Sequence, residues 1–385
     1  MSAEAGTGAA TDLGRDLVKA LDHGDMLGAI VSLADQMATA YPAACESLND
    51  VFVESGAGRS APPSAPTGLV ICGMGGSAIG ADLVLASLPD LPVPAAVVRG
   101  YALPGWVGPQ TLVVAASYSG DTEETLACLE AALDRGCVPV CVSSGGRLAK
   151  LAGDHELPLV LIPGGQQPRA SLGYLSVPLL AVLEAAGLCG AQGAYVEETV
   201  ALLRRGNLEL GPDAPETSGA SGPGPASPRR ATAKGLARLL SGRQAVVYGA
   251  ASTVAVARRW KGQINENAKA PAFWNELPEL DHNELMGWTS LPGMAAETFA
   301  VFVNDEQTDA RLLRRADLTA ELLAERGVAV EQVWARGDSR LARLFSLVQL
   351  GDYASFYLAL LYGVDPTPVA AIQDFKAKLA GGAGA

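Results

Sequence analysis

The chain has 385 residues, 49% hydrophobic and 18% charged, which excludes general disorder and leads us to expect two or three domains. Lys and Arg number 28 against 41 Asp and Glu, a net charge of −13, so long-range repulsion argues against nucleic acid or an anionic membrane as partner, and an anionic ligand must be held by local groups. No apolar run approaches the roughly 20 residues that span a bilayer, and residues 1–11 lack the basic start and apolar stretch of a secretory signal, so a cytoplasmic protein is expected.

Residues 12–40 have helical spacing and 56–66 is rich in Gly, Ser, Ala and Pro, so 1–60 reads as an N-terminal helical arm ending in a connector. From 67 to 162 one pattern recurs: a short apolar run, a Gly/Ser turn, then an amphipathic stretch. Strands are expected at 68–72, 95–98, 111–116, 138–142 and 159–162, with helices at 77–88, 122–135 and 146–152. Leu112-Val113-Val114-Ala115-Ala116 is apolar at every position, as expected of a parallel strand covered by helices on both faces. Further helices at 175–186 and 195–203 complete a first domain, 61–210. The Gly/Pro/Ala/Ser-rich stretch 211–230 is a linker.

The same grammar resumes in a second domain, 231–385. A helix is expected at 231–240, a strand at 245–248, a turn of small residues at Gly249-Ala250-Ala251-Ser252-Thr253 and a helix at 254–268. Strands follow at 298–303 and 328–334, and helices at 309–325, 341–362 and 366–379. The fold class is therefore α/β: two doubly wound parallel-sheet domains of three αβα layers, related as a pseudo-repeat. The six cysteines (Cys45, Cys72, Cys128, Cys137, Cys141, Cys189) form no CxxC pair and sit mostly in apolar segments, which reads as reduced core thiols. With only His23, His155 and His282 available, a zinc cluster is not expected.

Two turns carry chemistry. Gly73-Met74-Gly75-Gly76-Ser77-Ala78-Ile79-Gly80 follows a strand and opens a helix, where glycines allow close backbone approach and free amides favour an anion. Gly73, Gly75 and Ala78 also satisfy the dinucleotide fingerprint in its GxGxxA form. However, the second strand ends Val98-Arg99-Gly100, without the acidic residue that holds a ribose hydroxyl, so a dehydrogenase would have to prefer NADP through Arg99. The second turn is Ser117-Tyr118-Ser119-Gly120-Asp121-Thr122-Glu123-Glu124, whose hydroxyls and backbone amides can surround a phosphate with neutral donors. Its competing reading is a capping box between Asp121 and Glu124, which needs only one such residue rather than four.

Together these turns resemble the sugar isomerase (SIS) domain, so the two domains are expected to be SIS-type. Arg169-Ala170-Ser171-Leu172-Gly173-Tyr174, the stretch from Lys261 through Glu266 to Lys269, and the stretch from Phe273 through Pro278 to His282-Asn283-Glu284 resemble the bifunctional phosphoglucose/phosphomannose isomerases. The resemblance runs from about Leu21 to Lys378, and the Gly/Pro-rich stretch at 211–228 is longer than that family leads one to expect. It implies a metal-independent, cofactor-free aldose–ketose isomerase working through a cis-enediol on sugar phosphates. Glu266 would be the proton-shuttling base, His282 the ring opener contributed across a homodimer interface, and Arg169 the cation at the enediolate. Lys376, chosen over Lys378, would join them, while Gly75, Ser77, Ser117, Ser119 and Thr122 bind substrate, the last three mainly its phosphate. A non-catalytic phosphosugar sensor would keep the phosphate turn and lose the base, whereas Glu266, His282 and Arg169 are all present.

Overall fold

The structure, a computed structural model, describes residues 12–49, 51–52, 61–216, 232–290 and 292–382. Most of the expected linker, 217–230, and residues 56–60 of the connector lie outside the described residues. The helical arm is α1 (Arg15–Leu21), α2 (Met26–Val31) and α3 (Leu33–Ser47) rather than one helix. The break has a local cause: the Asp22 carboxylate accepts the amides of Met26 and Leu27, each at 2.8 Å, and Asp25 adopts a left-handed φ of 54°. Asp side chains that bond nearby amides compete with helix continuation and cap a new start.

The first sheet contains β1 (Gly68–Cys72), β2 (Ala95–Val98), β3 (Thr111–Ser117), β4 (Val140–Ser143) and β5 (Leu159–Leu161), all parallel, in the order β2-β1-β3-β4-β5. Its helices are α4 (Gly75–Ser87), α5 (Glu123–Asp134), α6 (Gly146–Asp154), α7 (Leu172–Ala185) and α8 (Gly193–Leu210). The second half supplies α9 (Ala233–Leu240), β6 (Gln244–Ala250), α10 (Val254–Asn267), β7 (Ala272–Leu277), α11 (Glu284–Gly287), α12 (Pro292–Ala296) and β8 (Thr298–Asn304). It continues with α13 (Ala310–Glu325), β9 (Ala329–Trp334), α14 (Arg340–Leu361) and α15 (Ala370–Gly382). Its sheet is parallel, in the order β7-β6-β8-β9, which repeats the first four positions of the other sheet. The repeat extends to backbone detail: Gly75 (φ 51°) and Ala251 (φ 50°) hold the same left-handed position in the turn after the first strand of each sheet.

Strand β7 is a correction to the sequence reading, which assigns 272–277 a motif but no element. Phe273 is exposed and Trp274 half-buried on this edge strand, so it lacks the continuous apolar run of its neighbours. By contrast β1 and β3 are buried at every position. Alternate residues of the first sheet face opposite ways: Leu69, Ile71, Leu112 and Val114 toward α3 and α7, and Val70, Cys72 and Val113 toward α5. The inner face continues into Val247, Val301 and Trp260 of the second half and into α14, so the two sheets share one layer of helices. Helix α14 is long and apolar enough to cross a bilayer, but 83% of its most apolar window is buried within that shared layer.

Candidate active site

Strands β1 and β3 lie side by side with Cys72 opposite Ala115, so the two chemistry-bearing turns leave the sheet together. This is the switch point of a 2-1-3-4-5 sheet, and ligands of open α/β sheets bind in the crevice outside the carboxyl ends there. A Cβ on Gly73 would stand 3.0 Å from the Ala116 carbonyl, which explains a glycine at that crossing. Gly120 (φ 74°) is more constrained still, because its Cβ would fall 1.9 Å from the Gly145 carbonyl of the turn after β4.

The turn after β3 is tied by its own hydroxyls. Ser117 Oγ donates to Thr122 Oγ1 at 2.9 Å and accepts the Gly120 amide at 3.1 Å, while the exposed Ser119 accepts the Asp121 amide at 3.2 Å. The capping box does not form. Asp121 instead accepts the Arg147 amide at 3.0 Å, and neither α5 nor α4 has a side-chain cap. Two helix N-termini therefore bring uncapped amides to the same crevice, beside Gly75 and the buried Ser77, and such amides favour an anion. The guanidinium of Arg99 is engaged with Asp82 and the Ala78 carbonyl, so it is committed within the fold rather than offered to a nucleotide phosphate.

Arg169 sits in the 3-10 turn Pro168–Ala170, and α4 reaches that turn at Gly76, whose Cβ would lie 2.6 Å from the Pro168 carbonyl. Its side chain is only 5% exposed and is held at Nε and Nη2. Nε donates to Asn267 Oδ1 at 2.8 Å, Nη2 to the Pro366 and Thr367 carbonyls at 2.7 and 2.9 Å, and Nη1 lies 3.5 Å from Glu266 Oε2. Burial pushes the guanidinium pKa down and the Glu266 carboxylate opposes that shift. The Glu266 carboxylate keeps 34% of its surface open. It is therefore close to a cation and still reachable by a substrate.

Behind this pair lies a network whose long-range partners the sequence reading did not find. Arg259 pairs with Asp352 at 2.7 Å, both buried, and donates to the Arg169 carbonyl at 3.1 Å. Gln263 donates to Asp352 at 2.9 Å and Asn267 to Ser355 at 3.0 Å. Arg259, Gln263 and Asn267 are spaced four apart on one face of α10, a spacing that equally describes a solvated face. Their partners on α14 come from 88 to 93 residues away. Burial raises the Asp352 pKa, and the Arg259 charge counters that. Lys269 (φ 56°) also belongs to the site: its ammonium donates to the Glu266 carbonyl at 2.5 Å and to Pro366 at 2.9 Å. Burial, then repulsion from Arg169, pushes its pKa down to about 8.

The structure thus brings Arg169 and Glu266 together, one turn from the glycine-rich start of α4. The His282 and Lys376 side chains have no hydrogen bond or ion pair among the described residues. His282 is exposed at the end of the turn Glu279–His282, and Lys376 and Lys378 are both exposed on α15, whose root is the Pro366–Thr367 segment held by Arg169.

Residues 229–379 match the family model for the bacterial phospho-glucose isomerase C-terminal SIS domain. A bifunctional phosphoglucose/phosphomannose isomerase of Caldicellulosiruptor bescii is 40% identical over 314 residues, covering 81% of this chain and 89% of that one. One from Aquifex aeolicus is 37% identical, with 81% and 90% covered. Among solved structures, a hypothetical protein of Thermus thermophilus superposes with a TM-score of 0.71 at 18% identity, covering 96% of this chain and 94% of that one, which is likeness of fold.

Proposed function

The chain belongs to the bifunctional phosphoglucose/phosphomannose isomerase family, and from that membership we infer an aldose–ketose isomerase that interconverts glucose 6-phosphate or mannose 6-phosphate with fructose 6-phosphate. The residue roles and the mechanism are our proposal. The observation that carries it is the buried Arg169 guanidinium 3.5 Å from a partly open Glu266 carboxylate, one turn away from the uncapped start of α4.

The substrate phosphate is held by the α5 amides and the Ser117, Ser119 and Thr122 hydroxyls, with Gly75 and Ser77 lining the sugar. His282 from a second copy of the chain protonates the ring oxygen while accepting the proton of the anomeric hydroxyl, so that the bond from C1 to the ring oxygen breaks and the open-chain aldehyde forms. Glu266 then takes the C2 proton of the aldose and returns a proton to C1 of the cis-enediol. The charge that develops on the enediolate oxygens falls beside Arg169, whose other donors are already anchored and need no reorganisation. Lys376, on the helix rooted at the carbonyls Arg169 holds, is assigned to the same site as a second cation. Both aldose epimers lose their difference at C2 on forming the enediol, so one carboxylate serves both. A homodimer in the cytoplasm fits the acidic composition and the exposed position of His282.

Proton transfer without a metal has a direct signature. Purified protein in EDTA should isomerise both aldose phosphates and release deuterium from C2 of each into solvent. Complete transfer of the label to C1, or loss of activity with EDTA, would overturn the mechanism.

A further inference from the structure

The turn that carries His282 is pinned on both sides by carboxylates facing into the protein, while the imidazole has no hydrogen-bond partner among the described residues. On one side, Asp281 accepts from Arg315 at 2.7 Å and from Thr319 at 3.0 Å, both on α13. On the other, Glu284 accepts from the Tyr248 hydroxyl at the end of β6 and from Asn275 Nδ2 on β7 at 2.5 Å. Tyr248 is 1% exposed, and burial together with the Glu284 charge keeps its phenol protonated, hence a donor. Asn283 adds a bond to Glu279 at 3.1 Å across the base of the turn. Three separate elements of the second half thus converge on the residues flanking one exposed histidine.

We propose that Glu284 is a positioning residue for His282: anchored by Tyr248 and Asn275, it fixes the turn so that the imidazole is presented outward in the geometry ring opening needs. The proposal rests on the reading of His282 as ring opener. An exposed turn left to itself samples many conformations, and a reacting group misplaced by about 1 Å can lose on the order of a hundredfold in rate. A salt link on one side would leave the turn free to swing about the other. Asp281 and Glu284 remove that freedom from both directions, and Glu284 does so through two strands of the sheet.

The test compares His282→Ala, Glu284→Ala, Glu284→Gln, Tyr248→Phe and the His282/Glu284 double alanine variant. It reads kcat on ring-closed glucose 6-phosphate and the affinity for 5-phosphoarabinonate, an open-chain acid that needs no ring opening. His282→Ala should lower kcat about a hundredfold or more, the share a general acid–base supplies, and Glu284→Ala about tenfold or more, with the double variant no worse than the lower single one. Glu284→Gln, which still accepts from Tyr248, should recover most of the rate, and Tyr248→Phe should lose part of it. Affinity for the open-chain acid should stay within about twofold throughout, which a merely structural collapse would not allow. If His282→Ala loses kcat while Glu284→Ala and Tyr248→Phe keep it, the positioning role is wrong. If His282→Ala itself keeps kcat, the ring-opening reading falls, and the positioning role with it.

Discussion

Charge behaviour at the site is set by burial more than by sequence. Arg169 and Lys269 lie close enough to repel each other, and both have their pKa pushed down, by burial first. For Lys269 this has a measurable sign. The unfolded chain holds the proton up to the ordinary lysine range near 10.5, whereas the fold releases it near 8. Between these values the unfolded chain binds more protons, so raising the pH from about 8 to about 10 favours the folded state through this group. The urea stability of the native chain relative to Lys269→Met should therefore climb across that window, and a flat difference would count against the assigned environment. Ser117 and Ser119 stand out in the sequence because they sit in one compact hydroxyl-rich turn, whereas Arg169 and Glu266 are singled out by the family resemblance. The roles of Arg259, Gln263 and Lys269 are not visible there, since they depend on Asp352 and Pro366, about 90 residues or more away.

Elements that carry continuous apolar runs, β1 and β3 above all, are legible within a residue or so, because burial on both faces leaves no room for polar positions. The elements missed or misjudged are those whose boundaries depend on something else. Edge strand β7 mixes exposed and buried residues, and the arm is cut by two Asp side chains that bond local amides. Contact between elements at the site depends on missing side chains. Gly76→Ala would put a methyl 2.6 Å from the Pro168 carbonyl and force α4 away from the turn that bears Arg169. Such overpacking costs about 1–3 kcal/mol, and we expect kcat to fall with it. Gly262→Ala, mid-helix in α10 with nothing within 4 Å of the new methyl, is the contrast. It should stabilise by about 0.5–1 kcal/mol. Urea denaturation of the two variants checks both signs, and equal effects would show that the α4 contact is loose.

For the molecule as a whole, the two sheets repeat one strand order yet only the first keeps a hydroxyl-lined turn after its third strand. The corresponding turn after β8 carries Asp305 and Glu306, with Asp305 paired to Arg343 at 2.9 Å. In the proposed site the second half contributes instead Glu266 from α10 and the exposed His282. Within one chain His282 has no hydrogen bond or ion pair to Arg169 or Glu266, and the proposed mechanism draws it from a second copy. The claim on which everything else depends is that one sugar is worked on by Glu266 of one chain and His282 of its partner. Mixing inactive Glu266→Gln subunits with inactive His282→Ala subunits tests it, because each mixed dimer holds one intact site. After dissociation and random re-pairing, activity should return to about a quarter of the native level, since half the dimers are mixed and each has one working site of two. Parents that remain active, or a mixture no better than its parents, would contradict the account.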